Sequence, residues 1–191
     1  SFTYDRATLE SLASEVLAYA RSRGASAAEV DVSDARGQTV TVRRGEVETI
    51  EYNRDKGVGI TVYIGQQRGH SSTSDFSLKA LRDAVDAALS IARFTAPDDC
   101  AGLADADLLA KDFPDLQLWH PWALPVERAI ELARACEDAG FQTDKRVSNS
   151  EGASVSTQES HFIYGNSNGF LAGYPVSRHR DRKSTRLNSS H

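Results

Sequence analysis

The sequence predicts an α+β fold in which helices cover one face of an antiparallel sheet. Apolar residues recur at helical spacing from Leu9 to Ala20 and again from Leu78 to Ala92. Between these two amphipathic segments, short runs rich in Val, Ile, Thr and Tyr alternate with turn residues. Helix, strand meander and helix together predict a layered N-terminal domain over residues 1–94.

Four strands are predicted between the two helices, as a hairpin-linked antiparallel meander. Their sequences are AEVDVSDA, QTVTVRR, VETIEY and VGITVYIG, and the turn sequences between them are RG at 36–37, RRGE at 43–46 and NRDKG at 53–57. Val30, Val32, Val40 and Val42 alternate with polar residues, which gives the early strands one apolar face. We expect the two helices to cover that face, with Ser77 as the N-cap of the second helix and Gly24 closing the first.

A second domain is predicted after a connector. Residues 95–122 contain prolines and acidic residues without sustained periodicity and are interpreted as an ordered linker. A helix then runs from Pro125 to Gly140, and the strand-like runs ASVSTQ and SHFIYGN follow it. One helix and one hairpin bury too little apolar surface for independent stability. Residues 123–180 are therefore expected to be the start of a second α/β domain that is truncated.

The last eleven residues, 181–191, are predicted not to belong to the natural protein. Reverse translation of DRKSTRLNSSH is compatible with a common sequencing-library adapter. We therefore interpret this segment as a read-through artefact rather than a basic functional tail.

Composition and charge argue against nucleic-acid-binding, disulfide-rich and membrane-spanning proteins. The chain is 40% hydrophobic and 26% charged, which is typical of a globular domain. Its formal net charge of −5 does not favour nucleic-acid binding, which needs clustered Lys and Arg. Two cysteines without CxxC spacing do not favour a disulfide framework or a zinc ribbon. No apolar run has the length of a membrane span and the first residues do not resemble a signal peptide, so a cytoplasmic location is predicted.

The search for chemical motifs predicts no catalytic, metal-binding or cofactor-binding residue in this chain. The histidines are far apart in sequence and form no HExxH pair, so His70 and His120 are interpreted as surface or packing residues. The serines of HSSTSD lie outside any GxSxG motif and are interpreted as a loop. The glycines of GVGITVYIG do not open a helix and are interpreted as turn and bulge residues.

Three separated stretches resemble the TldD/PmbA family, and its PmbA (TldE) type more closely than its TldD type. They are VRRGEVETIEYNRDKGVGITVYIGQQRGHSSTSD from Val42 to Asp75, the connector from ARFTAPDDC to LWHPW, and YGNSNGFLAGYPVSRH. The resemblance covers residues 1–180. It implies a metallopeptidase complex that acts on unfolded or small peptides, in which a TldD-type subunit pairs with a PmbA-type subunit.

Family membership also implies where the chemistry would lie. In TldD-type subunits an HExxxH helix and a later cysteine hold zinc, whereas PmbA-type subunits generally lack this set. This chain contains no HExxxH motif. The expectation is a non-zinc partner subunit of the complex, with zinc in the TldD-type subunit. The alternative is a non-enzymatic interaction protein of the kind suggested by an older family label, modulator of DNA gyrase.

A final expectation concerns peptide binding. The run from Val58 to Ile64 is rich in β-branched residues and could pair with an extended peptide as an exposed strand. Such pairing uses backbone hydrogen bonds and requires no particular sequence.

Overall fold

The computed structural model describes residues 2–186. Within this range the elements are α1 (Arg6–Ser22), β1 (Ala27–Arg43), β2 (Glu46–Ile64), β3 (Gln67–Thr73), α2 (Leu78–Phe94), a 3-10 turn (Ala106–Leu108), α3 (Val126–Thr143), β4 (Asn149–Asn166) and β5 (Leu171–Arg186). The strands form one five-stranded sheet in the order β3-β2-β1-β4-β5. The predicted α+β class is confirmed.

The strands are longer than the sequence predicts. Strand β1 includes the first two predicted strands and β2 includes the other two, so the chain does not turn at 36–37 or at 53–57. Gly37 has a different role, because a Cβ atom there would lie 3.0 Å from Gln158 Cγ and 3.1 Å from the Thr157 carbonyl oxygen on β4. The glycine permits close approach of the neighbouring strand instead of a turn.

Strand β3 was not predicted, since its serines were interpreted as a loop. It pairs antiparallel with β2 in a register that runs from Val58 opposite Thr73 to Ile64 opposite Gln67. Only residues 58–64 of β2 have β3 as a neighbour, and we call them the paired half. Residues 46–57, the open half, lie beyond the end of β3, and the first ten of them are exposed.

The chain forms two compact units. The first contains residues up to Ala35, Asp55–Gln117 and Ser160–Pro175. Its core is formed by the apolar faces of α1 and α2 against β1, β2 and β4, as predicted for the two flanking helices. The largest fully buried apolar side chains in this core are Leu9, Ile60, Leu81, Leu89 and Ile163. Burying such side chains stabilises the fold by about 1.5–3 kcal/mol each.

The second unit contains Arg36–Arg54, Leu118–Glu159 and, among the described residues, 176–186. Its core is smaller and consists of Val40, Val42, Leu124, Ala129, Ala133, Ala153 and Val155. Helix α3 supplies mostly small side chains to this core, together with the carboxylate of Glu137, which is 1% exposed.

Helix ends follow the predicted capping chemistry with one exception. The Ser77 hydroxyl accepts a hydrogen bond from the Ala80 N–H at 3.3 Å, and Gly24 follows α1 with a φ of +96°. Gly140 does not close α3, because the helix continues to Thr143. The connector from 95 to 122 contains the 3-10 turn as its only described helical segment. No helix within residues 2–186 is both long and apolar enough to cross a lipid bilayer.

Candidate functional site

The described histidines do not form a cluster of side chains that could hold a metal ion. His70 Nδ1 lies 3.1 Å from Thr61 Oγ1, and His179 Nε2 lies 2.9 Å from the His120 carbonyl oxygen. No group of three or more His, Cys, Asp or Glu side chains within residues 2–186 is close enough to hold a metal ion. The described residues therefore offer no set of side chains that fits a zinc ion. That this chain has no metal-binding residue at all stays a prediction.

His161 is the buried histidine of the first unit. It is 6% exposed, and its Nε2 atom has no hydrogen-bond partner among the described residues. Its ring centroid lies 5.5 Å from that of Phe2, and burial lowers the pKa of the imidazole. His161 is therefore an uncharged side chain that packs against Phe2, and we assign it a structural role.

Among the residues that the structure describes, neither Cys100 and Cys136 nor the predicted serine loop forms a nucleophilic centre. Cys100 is exposed, and burial raises the pKa of the Cys136 thiol, which disfavours the thiolate. The predicted serine loop belongs to β3, where the Ser71 hydroxyl donates to the Ala84 carbonyl oxygen of α2 at 2.5 Å. That serine ties the strand to the helix.

The expectation that Val58–Ile64 binds a peptide as an exposed strand is wrong. These residues pair with β3, and β1 is the neighbour of β2 on its other side. Gly59, predicted as a bulge, makes space for a side chain, since a Cβ atom there would lie 2.5 Å from Asp31 Oδ1.

A strongly apolar concave surface lies in the first unit, between the connector and the hairpin of β4 and β5. It is a groove of about 630 Å³. We call it the aromatic groove because five aromatic residues line it: Phe113, Phe162, Tyr164, Phe170 and Tyr174. Ligand pockets are typically clefts of about 300–1,000 Å³ lined by apolar and aromatic side chains. Its size and lining therefore fit a ligand-binding surface.

Alternation along the two strands produces this aromatic surface. Phe162 and Tyr164 flank Ile163, which is fully buried in the core, so the two rings point to the opposite side of the sheet. Tyr174 on β5 packs edge-on against Phe162 with ring centroids 4.7 Å apart. A Cβ atom at Gly173 would collide with the Phe162 carbonyl, so this glycine lets the strands pair.

Hydrogen bonds fix one wall of the aromatic groove. The Tyr164 hydroxyl donates to Glu29 Oε2 at 2.7 Å, and the Tyr63 hydroxyl donates to Glu29 Oε1 at 3.0 Å. Burial, and then the Glu29 carboxylate, raises the pKa of both phenols. Both hydroxyls therefore stay protonated as donors, and the ring of Tyr164 is held in place.

The connector forms the opposite wall. The ring of Phe113 packs edge-on against Phe170 with centroids 5.5 Å apart, yet Phe113 remains 57% exposed. Asp112, Asp115 and Arg6 bring charge to the lining, and the Arg6 guanidinium is paired with Glu10 at 2.7 Å. The groove therefore combines an apolar floor with two carboxylates.

Sequence reasoning did not find this groove. The connector lacks periodicity, and its aromatic residue lies about fifty positions from the strands that it meets. The available signal is the spacing of aromatic residues in HFIYGN, which is interpreted above only as strand-forming, and in FLAGY, which is used above only for the family resemblance.

A second, more polar concave surface lies in the second unit. It has a volume of about 290 Å³, and Arg36, Arg54 and Trp122 are among its lining residues. The guanidinium of Arg36 is paired with Glu159 at 2.9 Å, which reduces its capacity to hold an anion.

Comparisons with known proteins match both parts of the chain. The family model described as PmbA/TldA metallopeptidase domain 1 matches residues 28–92, and the PmbA/TldA metallopeptidase central domain matches residues 119–180. A metalloprotease PmbA homolog of Haemophilus influenzae is 47% identical over 158 residues, which are 83% of this chain and 35% of the relative. Metalloprotease PmbA of Escherichia coli O157:H7 is 46% identical over 174 residues, 91% of this chain and 38% of the relative.

Solved structures share the fold. A Bacteroides thetaiotaomicron protein described as a modulator of DNA gyrase superposes with a TM-score of 0.79 at 24% identity, covering 89% of this chain and 39% of that one. TldE of Thermococcus kodakarensis has a TM-score of 0.70 at 14% identity, covering 94% and 40%.

The chain spans little more than a third of the curated relatives that it matches. The two family models nevertheless match most of its residues, and they follow one another in the order of domain 1 and central domain. The chain therefore belongs to the PmbA/TldA metallopeptidase family.

Proposed function

We propose that this chain is part of a PmbA-type subunit of a cytoplasmic metallopeptidase complex, in which it pairs with a TldD-type subunit and acts on unfolded or small peptides. The observation that carries the proposal is the match to the first two family domains, together with 46–47% identity to proteins named as PmbA metalloproteases. The zinc ion would lie in the partner. No catalytic step is assigned to a metal on this chain.

The open half of β2 supports the pairing with another subunit. Its backbone has β1 on one side and, within the described residues, no strand on the other. Val47, Ile50 and Tyr52 are 39%, 43% and 68% exposed along this edge. Free strand edges with exposed apolar side chains are sites at which another chain adds a strand. We assign this edge to the TldD-type subunit.

The test of the function is reconstitution. The complete polypeptide that contains this sequence is purified alone and together with a TldD-type subunit, and the TldD-type subunit is also purified alone. Zinc content and hydrolysis of an unfolded casein substrate are measured for all three samples. We expect zinc to follow the TldD-type subunit and cleavage to require both proteins. Zinc-dependent cleavage by the PmbA-type polypeptide alone would contradict the proposal, as would full activity of the TldD-type subunit alone.

The pairing surface has its own test. The substitution Ile50→Lys places a charge on the open half of β2, and we expect it to weaken co-elution with the TldD-type subunit by about tenfold or more, as for a central interface residue. Leu78→Lys is the matched control, because Leu78 is 53% exposed on α2. Equal effects of the two substitutions would exclude the open half as the interface.

The alternative function is a non-enzymatic modulator of DNA gyrase. It has support from solved structures described as modulators of DNA gyrase, which share the fold with this chain at 24% identity or less. A gyrase complex formed without any TldD-type subunit, and weakened by salt, would favour it over the peptidase function.

A further inference from the structure

The aromatic groove lies beside a strand edge that carries free backbone groups. Within the part of the chain that the structure describes, β5 is an edge strand of the sheet, with β4 on its inner side. Among residues 2–186, the first backbone hydrogen bond on its outer side is made by the Ser177 N–H to the Leu118 carbonyl oxygen at 3.0 Å. Between Leu171 and Val176, outward backbone groups are therefore available to another chain, although Pro175 has no N–H and offers only its carbonyl oxygen.

The same residues line the aromatic groove. Ala172, Gly173 and Tyr174 belong both to the free edge and to the groove. A bound extended chain would direct alternate side chains away from the sheet plane, so one of them would reach the apolar lining. Backbone pairing gives affinity in this mode of recognition, and a side-chain pocket gives specificity.

The lining is incompletely covered by this chain. Phe113, Leu116 and Tyr174 are 57%, 49% and 39% exposed around one groove. Isolated exposed apolar residues are ordinary on protein surfaces, but a contiguous group of them marks an interaction site.

The charge of the groove lining determines which extended peptides it favours. Asp112 and Asp115 stand in the lining, whereas the cation of Arg6 is already paired with Glu10. The unbalanced carboxylates favour a Lys or Arg near the apolar side chain of the ligand.

We propose that the aromatic groove and the adjoining edge of β5 bind an extended polypeptide segment, with a large apolar side chain in the groove and a basic residue facing Asp112 and Asp115. This inference rests on the proposed function, because it names the peptide class that a PmbA-type subunit holds. The free backbone edge favours a polypeptide over a small apolar molecule, because a polypeptide can pair with its N–H and C=O groups.

The experiment measures binding, independently of cleavage. The probe is a fluorescein-labelled peptide, Gly-Ser-Lys-Ala-Phe-Ala-Lys-Ser-Gly, and its anisotropy is titrated with the complete polypeptide that contains this sequence. We expect Phe113→Ala to weaken binding by about tenfold, which corresponds to the loss of one anchoring aromatic contact. Phe94→Ala is the matched control, because Phe94 is 92% exposed and lies outside the groove, and binding should change less than about twofold.

Altered probes test the individual contacts. Serine in place of the central phenylalanine should abolish the effect of Phe113→Ala. Only every second amide of an extended peptide can face β5. N-methylation of that set should weaken binding because it removes the donors to β5, whereas N-methylation of the other set should not. Asp112→Asn should weaken binding of the lysine-containing probe. It should have no effect on a probe in which glutamine replaces both lysines.

The proposal is overturned if something other than a peptide ligand covers the aromatic groove. If Phe113→Cys is protected from a thiol reagent in the unliganded complete polypeptide, a further part of that polypeptide covers the groove. If Phe113→Ala converts a dimer into a monomer, a second copy covers it. Equal probe binding by Phe113→Ala and Phe94→Ala also overturns it. Probe binding at the groove without cleavage by the subunit pair would instead refute the proposed function alone.

Discussion

The two halves of β2 have similar sequences and opposite environments. The open half contains VETIEY and the paired half contains VGITVYI, so both are rich in β-branched and aromatic residues. Ile60 in the paired half is fully buried, whereas Ile50 in the open half is 43% exposed. The paired half has a strand on each side and contributes to the core beneath α1 and α2. Burial here depends on neighbouring elements rather than on the residue types of the strand.

The largest expected difference between the two halves is in core packing. Ile60→Ala should lower the free energy of unfolding by about 4 kcal/mol, because it leaves a cavity in the core of the first unit. Ile50→Ala should change it by less than about 0.5 kcal/mol, since that side chain is exposed. Urea titrations of both variants measure the two values, and equal losses would contradict the comparison.

A second test uses two glycines that border the paired half. A Cβ atom at Gly69 on β3 would overlap the Ala88 carbonyl oxygen and lie 2.6 Å from the Ala92 nitrogen, both in the backbone of α2. Gly69→Ala should therefore separate strand and helix at a cost of about 3 kcal/mol. At Gly57 the nearest atom to such a Cβ is the Thr73 carbonyl oxygen at 3.9 Å, so Gly57→Ala is the control. Thermal unfolding distinguishes the two, and a stable Gly69→Ala variant would be the contrary result.

The open half begins at a turn that a buried carboxylate holds. Glu137 on α3 accepts hydrogen bonds from the N–H groups of Arg44 at 3.0 Å and Gly45 at 2.7 Å, and from the Ser150 hydroxyl. Burial raises the pKa of Glu137, but these hydrogen bonds outweigh burial and the pKa is lowered overall. Glu137→Gln should cost about 2 kcal/mol at neutral pH, because the donors lose a charged acceptor.

The lowered pKa also fixes the direction of the pH dependence. The unfolded chain binds a proton at Glu137 near the ordinary pKa of about 4.3, above the folded value. The contribution of this group to stability is therefore complete above about pH 4.3 and is lost as the pH falls through the folded pKa. Unfolding titrations from pH 7 to pH 3 should show a smaller acid-induced loss in Glu137→Gln than in the wild type. An unchanged pH profile would show that the carboxylate does not hold the turn.

The smallest expected effect concerns charge in the open half. Tyr52 is 68% exposed, so Tyr52→Lys should change the free energy of unfolding of the isolated chain by no more than about 0.5 kcal/mol. The same substitution at Tyr63, which is 5% exposed and bonded to Glu29, should be strongly destabilising. Chemical denaturation compares the pair, and a large loss at Tyr52 would show that this half is packed in solution.

Local patterns predicted the helical and capping features well. The periodicities from Leu9 and Leu78, the Ser77 cap and the covering of one sheet face all depend on residues close together in sequence. Strand ends were less predictable, because Gly37 has turn chemistry but serves the approach of β4. Strand β3 was missed for a similar reason, since its polar residues pair with β2 instead of forming a loop.

The candidate groove could be predicted only in part. The alternation at Phe162 and Tyr164 indicates an aromatic strand face, and this much is visible in the sequence. The contribution of Phe113 is not, because it depends on where the connector crosses the hairpin. Glu137 was missed as well, since a charged residue on a helix is usually solvated and its three donors come from distant segments.

The sequence alone determined the α+β class, the positions of the helices and the membership in a peptidase family, because these properties reside in local periodicity and in contiguous stretches of residues. Only the tertiary structure decided which half of β2 is buried, which turn a carboxylate holds and where aromatic residues from three segments form a groove. The physical reason is that these features arise from contacts between residues far apart along the chain. Local propensity does not specify such contacts.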